Sequence, residues 1–571
     1  MLALLALLAI LALVGAACKG GGIEQGQGND SETAPTATAT ATATAAQAQT
    51  PNPPPAIPST PPTPSPVPTS AIENAVVPEP EASPSPSPTP AAPPSPSPTQ
   101  VPISVATTQS SLEAVDCPSG VAAEQVTCSV ATLPLDATNP IPGEVVKLFT
   151  AFVDNGDPSD AGPVVFLQGG PGVGSIQNAQ NFVGGAHDVL FVDQRGTGYS
   201  EPKLDCPELD DQWQARHSDD DTIRISDQDQ IIAAYQSCRD RLSDQGISFE
   251  HFHTTAAATD IELLRQLLGF EQWSLWGISY GTRVGLTVMR DHPAGVRSAV
   301  LDSVVPFEVD FFATIPEHGW RAILALDAAC DATECANDHG DFVDNLSAVV
   351  IDLNAEPVVV TASRSGSNEQ FPFRVDGDQM LDFVFTQLYS TRAIRSLPRQ
   401  VARAEFGGIE ELVASYMTRR DPNSFDLSAG LYYTTWCREE FPFYDSTADD
   451  ALLEELEPLL QDSADEAFSS DGIDELCAIF EVPPSPVIDN EPLLSEIPTL
   501  VFAGVFDPIT PPAWSKQVAD ALVNATYVEM PDHGHGMATT CPANLRLAFF
   551  IDPLASLDTA CAQATAGPVF E

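Results

Sequence analysis

The stretch WSLWGISYGTRVGL, residues 273 to 286, decides the fold. WSLW is a short apolar run that reads as a buried strand, TRVGLTVMRDHP reads as a helix, and GISYG (277 to 281) joins them. A Gly-x-Ser-x-Gly turn between a strand and a helix is the setting in which a serine becomes a nucleophile. Gly277 and Gly281 matter because side chains there would strike the neighbouring strand and helix, while Ser279 is held out at the helix N-terminus. The same five residues arise by chance with a serine that merely caps a helix; the flanking strand and helix select the catalytic reading.

Working outward, PVVFLQ (163 to 168) and DVLFVD (188 to 193) read as buried parallel strands, each ending in a Gly-rich turn. ATDIELLRQLLGF (258 to 270) puts Ile261, Leu264, Leu267 and Leu268 on one helical face, and SAVLDSVV (298 to 305) reads as the next strand. Strands alternating with crossover helices imply an α/β class with a doubly wound, mostly parallel sheet. After Pro306 the strand rhythm stops for roughly 190 residues, giving way to helical stretches such as RAILALDAAC and DALLEELEPLL and a small strand pair near PVVVTAS. It resumes at PTLVFAG (498 to 504). The economical account is a largely helical cap, 311 to 494, inserted between late strands of a core built from 111 to 310 and 495 to 571. Such a cap would sit over the carboxyl ends of the strands, where ligands bind in sheets of this kind.

The remaining catalytic groups should lie at those strand ends. QGGPG (168 to 172) ends an early strand, and an amide at Gly169 or Gly170, with that of Tyr280 next to the nucleophile, would form an oxyanion hole. GVFDPITPP puts Asp507 in the turn after PTLVFAG. The loop PDHGHGM, after the strand ATYVEM (525 to 530), offers His533 and His535 as the base. His535 is preferred because glycines flank it on both sides, with His533 as the alternative. The order serine, acid, histidine then separates this chain from other serine protease folds. Asp193 and Arg195 in DQRGTG read as braces for the oxyanion loop, and Asp260 as a capping or packing-edge residue.

Composition bounds the rest. The chain has 571 residues and 52 prolines, which crowd between Pro35 and Pro102, so residues 19 to 110 read as a Pro/Ser/Thr/Ala-rich stalk without a core. About 90 residues at ~3.1 Å each reach on the order of 280 Å when fully extended. A formal charge of -55 excludes a nucleic-acid partner, because an acidic surface repels phosphate. Residues 1 to 18 begin with an apolar run too short for a comfortable span and close on Gly15, Ala16 and Ala17 before Cys18. This resembles the lipobox of bacterial lipoproteins, although no Lys or Arg precedes the run; it implies lipid attachment at Cys18 and an exported protein on the outer face of a bacterial membrane, with simple cleavage as the alternative. The other ten cysteines fall in sequence order as Cys117 and Cys128, Cys206 and Cys238, Cys330 and Cys335, Cys437 and Cys477, Cys541 and Cys561. An even count in an exported chain suits disulfides; neighbour pairing is one of many connectivities. No spacing matches a zinc site, so no metal is expected.

QGGPG, DQRGTGYS (193 to 200), LLRQLLGFEQWSLWGISYGTRVGL, VFAGVFDPITPP and GHGM, taken in order, resemble the secreted tripeptidyl and prolyl aminopeptidase branch of the α/β-hydrolases. The resemblance runs over about 115 to 571, and the region after Leu476 resembles the C-terminal segment of tripeptidyl aminopeptidase-like (TAP-like) proteins. It implies an exopeptidase that releases short N-terminal peptides through an acyl-enzyme, without metal or organic cofactor; a monomer is expected. Gln168 departs from the histidine often found before GGPG in the prolyl enzymes, but the oxyanion donors are backbone amides. Aminopeptidases also need a carboxylate for the substrate ammonium, and in WCREEFPF Glu439 falls where the secreted branch often carries an acid, with Glu440 beside it. The plain reading of both is a solvated surface acid. An esterase or amidase for non-peptide substrates would use the same machinery. A surface binding lipoprotein that keeps the shell without catalysis is a third reading. A serine at the elbow excludes chemistry that needs a carboxylate nucleophile there.

Overall fold

Valine, leucine and phenylalanine runs with no polar alternate can be buried on both faces only inside a sheet covered by helices on each side. The computed structural model describes residues 110–156, 162–209, 228–363, 370–404, 407–420, 427–445 and 472–571. The apolar leader, Cys18, the stalk up to residue 109 and the stretch DALLEELEPLL lie outside the described residues. Among those described, the runs form a nine-stranded sheet in the order β1-β2-β3-β5-β4-β6-β7-β10-β11. Strands β4 (Val164–Leu167), β5 (Val189–Val192), β6 (Trp273–Ile278), β7 (Val296–Asp302), β10 (Thr499–Gly504) and β11 (Ala525–Met530) are the ones legible in the sequence. Three further strands, β1 (Ser111–Val115), β2 (Val126–Pro134) and β3 (Val145–Val153), precede them as an antiparallel edge.

From β5 to β11 every neighbouring pair is parallel. The chain crosses over so that β4 lies between β5 and β6, which puts the carboxyl ends of β4, β6, β7, β10 and β11 side by side on one edge. Period-two alternation divides the core: Val165 and Leu167 of β4 face one apolar layer, and Val164 and Phe166 face the other.

Between β7 and β10 lie the helices Ile315–Asp331, Phe342–Ala355, Gly377–Leu388, Leu397–Ala404, Ile409–Arg420, Ala429–Glu439 and Ile473–Phe480, with the antiparallel hairpin β8 (Val358–Ser363) and β9 (Gln370–Val375). Their starts are chemically marked: Asp341 and Asp376 accept hydrogen bonds from the backbone amides three residues on, satisfying donors that have no partner within the helix. Disulfides join Cys117 to Cys128, Cys206 to Cys238, Cys330 to Cys335, Cys437 to Cys477 and Cys541 to Cys561. The bridge from Cys437 to Cys477 spans 40 residues and pins helix Ala429–Glu439 to Ile473–Phe480. A closed loop of that size contributes about 4 kcal/mol by restricting the unfolded chain.

One buried ion pair ties the strand layer to the helices. Arg195, in the turn after β5, donates from Nε and Nη2 to the two oxygens of Asp260 at 2.7 and 2.6 Å, and from Nη1 to the carbonyls of Leu135 and His251. Asp260 is thus no capping or packing-edge residue; it is 1% exposed inside helix Thr254–Leu268. Removing one partner of such a pair leaves a buried charge without compensation. Asp260→Ala should therefore lower stability by about 3–5 kcal/mol, read as a lower denaturant midpoint with the slope unchanged.

Candidate active site

The elbow is built by close backbone approach. A Cβ on Gly281 would collide with the Leu167 carbonyl, and one on Gly277 with the Gly281 carbonyl, so β4, β6 and the helix Tyr280–Asp291 meet as only glycines allow. Ser279 is consequently driven to φ 55° and ψ -131°, a region that non-glycine residues adopt only under constraint. Its amide donates to the Asp302 carbonyl at 3.0 Å, and its own carbonyl accepts from Thr282 N at 2.8 Å and Thr282 Oγ1 at 2.6 Å. Ser279 is 5% exposed.

Asp507 and His535 meet at the ends of β10 and β11. Asp507 Oδ2 lies 2.8 Å from His535 Nδ1. Its Oδ1 accepts from the amides of Ile509 and Thr510, while Thr510 Oγ1 donates to Oδ2 at 2.7 Å and lies 3.0 Å from His535 Nδ1. Burial alone would raise the Asp507 carboxyl, but the His535 ring and the Thr510 donors outweigh it and hold the group below the ordinary carboxylate value. With Nδ1 turned to a carboxylate, the neutral ring keeps its lone pair on Nε2, which is buried and makes no hydrogen bond. That is the atom able to accept a serine proton. His533 is committed elsewhere, with Nδ1 2.6 Å from Asp532 and Nε2 2.6 Å from Thr539 Oγ1.

The loop after β4 carries Gly169 and Gly170, and its backbone is packed against the elbow through Gly281 and Leu167. Tyr280 opens its helix, so its amide has no carbonyl a turn behind it to donate to. The turn after β5 braces this loop: Asp193 accepts from Ser175, Ile176 and Tyr199 amides, and Gln194 Nε2 donates to the Gln168 carbonyl. The cap touches it as well, through Ser428 N to Gly172 O at 2.8 Å.

Glu439 and Glu440 are not solvated; each is 3% exposed at the end of helix Ala429–Glu439. Arg283, one turn into the elbow helix, lies between them, with Nε 3.3 Å from Glu439 Oε2 and Nη1 2.6 Å from Glu440 Oε1. Glu439 also accepts from the amide and hydroxyl of Thr254, whose hydroxyl is 2.8 Å from Tyr280 Oη. Burial pushes the Glu440 carboxyl up to about 8 against the pull of Arg283, and Glu439 adds to the rise. Aromatic rings close the region: Trp436 stacks on Phe311 at 4.8 Å, Phe311 meets Trp514, and Tyr389 lies edge-on to His535.

Sequence reasoning missed Thr510, Arg283 and His318. The DPIT turn was the available signal for Thr510, since a threonine three residues after an aspartate can close a turn on its carboxylate. Nothing local marks the other two. His318 stands edge-on to Trp514, and burial pushes its imidazole down to about 3.

These contacts generate a prediction. Thr510→Val keeps the shape but removes the donor to Asp507, and should lower kcat about tenfold with KM little changed, a loss on the scale of one hydrogen bond to a charged group. Steady-state kinetics at saturating substrate check it; an unchanged kcat would show that Asp507 and His535 stay aligned without the hydroxyl.

Residues 162–329 match the family described as alpha/beta hydrolase fold, and residues 464–561 match that described as TAP-like protein. The serine protease Hip1 of Mycobacterium tuberculosis is 24% identical over 459 residues, which is 74% of this chain and 83% of that protein. The tripeptidyl aminopeptidase of Streptomyces lividans is 27% identical over 197 residues, 32% of this chain and 35% of that protein. A putative hydrolase of Escherichia coli, YuaR, is 28% identical over 153 residues, so the alignment spans 26% of this chain and 29% of that relative. A parallel sheet with a serine elbow, both family matches and these relatives agree on an alpha/beta hydrolase fold over residues 162–329 and a TAP-like segment over 464–561, consistent with a serine hydrolase.

Proposed function

We propose that the protein is an exported serine exopeptidase that releases one or a few residues from the N-termini of peptides through an acyl-enzyme. Ser279 Oγ attacks the scissile carbonyl as its proton passes to His535 Nε2, with Asp507 orienting the ring and stabilising the imidazolium. The amides of Tyr280 and of Gly169 or Gly170 hold the oxyanion. His535 then protonates the leaving amine as the C–N bond breaks, and water repeats the sequence on the acyl-enzyme. The relatives named serine protease, tripeptidyl aminopeptidase and proline iminopeptidase support a peptide substrate.

The observation that carries the exopeptidase reading is the pair of buried carboxylates sharing one guanidinium. Arg283 compensates one negative charge, and a substrate ammonium would compensate the second that appears when Glu440 loses its proton. It would do so at a cluster joined to the elbow helix, which limits the reach from amino terminus to scissile bond. A second reading, an esterase or amidase for apolar acyl groups, is favoured by the aromatic rings around His535 and Trp436.

Export and lipid attachment at Cys18 belong to the same proposal and rest on the leader sequence. Among the described residues no helix is long and apolar enough to cross a membrane. Cys18→Ala should release the protein from the membrane fraction of cells expressing the full chain; an unchanged distribution would count against the anchor.

Fluorogenic amides of free and N-acetylated mono-, di- and tripeptides test the activity. Cleavage restricted to free termini and lost in Ser279→Ala is expected; equal cleavage of blocked peptides or simple esters would favour the second reading, and no turnover of any substrate would favour a binding protein. The proposed amine site has a pH signature. Below about 8 Glu440 holds its proton, so KM for free-amine substrates should fall as pH rises toward that value. It should rise again as the substrate amine, with a pKa of about 8, loses its own proton. Glu440→Gln should flatten the first limb and raise KM about tenfold, equivalent to ~1.4 kcal/mol, for free-amine substrates only.

A further inference from the structure

The carboxyl end of β7 touches every element that carries a triad member. Asp302, its last residue, is 1% exposed and accepts the Ser279 amide on its carbonyl at 3.0 Å. Its carboxylate Oδ2 accepts the Met537 amide at 3.1 Å, two residues beyond His535. Ser303 follows at φ 59°, where a residue with a Cβ stays only if its surroundings hold it. Its Oγ accepts the Gly536 amide at 3.0 Å, and its own amide donates to the Phe502 carbonyl at 3.2 Å, on the strand that leads to Asp507. Arg546 supports the far side of the loop, with Nη1 donating to the Met537 carbonyl at 2.6 Å and lying 4.0 Å from Asp302 Oδ2. On the cap side the His535 amide donates to the Tyr389 carbonyl at 3.0 Å.

We infer that Asp302 and Ser303 are positioning residues, which set the reach between Ser279 and His535 by tying the loop after the base to the strand end that seats the nucleophile. The geometry is direct. Two successive amides just past His535 are held by two successive side chains, and the same dipeptide holds the Ser279 backbone by a main-chain bond that no substitution removes. Loss of either side-chain acceptor frees the loop while leaving the elbow in place. A displacement of about 1 Å between reacting groups costs roughly 100-fold in rate. The inference rests on reading Ser279, Asp507 and His535 as the triad.

The test uses the full-length protein and the rate constant for labelling by a fluorophosphonate, which reports activation of the serine whatever the natural substrate. Ser303→Gly removes the side-chain acceptor together with its Cβ and suits the positive φ, so the melting temperature should stay equal or rise while labelling slows about tenfold. Asp302→Ala should slow labelling roughly 100-fold. Asp302→Asn, which keeps an oxygen acceptor for Met537, should return to within about threefold of wild type. A purely structural role would lower melting temperature without changing the labelling rate of the folded fraction, and either that result or an unchanged rate in Ser303→Gly overturns the inference. Persistent labelling of Ser279→Ala would instead overturn the triad reading beneath it. Normal labelling without peptide cleavage would remove only the exopeptidase reading.

Discussion

The Leu167 carbonyl occupies the space that a side chain at position 281 would fill, and the rest of the site depends on that approach. It brings the end of β4 against the turn after β6, which sets the loop carrying Gly169 and Gly170 beside the turn that holds Ser279. The same tightness bends Ser279 into a backbone conformation that costs on the order of 1–3 kcal/mol and must be held from outside. Asp302 holds it through its carbonyl, and Thr282 through two bonds to the Ser279 carbonyl. A serine presented this way is preorganised, because the cost was met on folding rather than during reaction.

Charge is distributed with a similar logic. Against 79 acidic residues the chain has 24 Lys and Arg, yet several arginines are inside rather than on the surface. Arg195 pairs with Asp260 and also binds two carbonyls; Arg283 meets two glutamates and the Pro306 carbonyl; Arg321 binds the carbonyls of Val505 and Asp507. A guanidinium offers five donors in a plane, so one residue can satisfy a carboxylate and several loop carbonyls at once. The arginines therefore act as connectors between strand ends and helices. Asp193 and Asp507, also buried, are held instead by backbone amides and, for Asp507, by Thr510 and His535.

The helices inserted between β7 and β10 reach the site. They supply the Tyr389 carbonyl that accepts from the His535 amide, and Ser428 N donates to Gly172 O in the loop after β4. They also supply the glutamate pair that Arg283 links to the elbow helix. The disulfide from Cys437 to Cys477 fixes the helix that ends in those glutamates. The proposed amine site thus sits on a covalently restrained element.

Local pattern carried a great deal here. The strands β4, β5 and β10 were legible because an unbroken apolar run of that length has few other uses, β6, β7 and β11 as largely apolar runs, and Ser279, Asp507 and His535 could be proposed because each follows a strand in a glycine- or proline-marked turn. The edge strands β1 to β3 were not read, since β1 is mostly exposed and polar residues such as Ser129 in β2 and Lys147 and Thr150 in β3 interrupt the apolar signal. Asp260 was misread because an acid on an amphipathic helix looks the same from sequence whether it meets water or a buried Arg195. The sequence by itself determined the periodicities, the tight elbow and the chain order of the candidate catalytic groups, all of which depend on neighbours within a few residues. Only the tertiary structure decided which strand ends lie together, that Arg283 lies between Glu439 and Glu440, and that Asp302 and Ser303 hold the loop after His535, because Arg283 and the glutamates, like Asp302–Ser303 and that loop, are over a hundred residues apart in sequence.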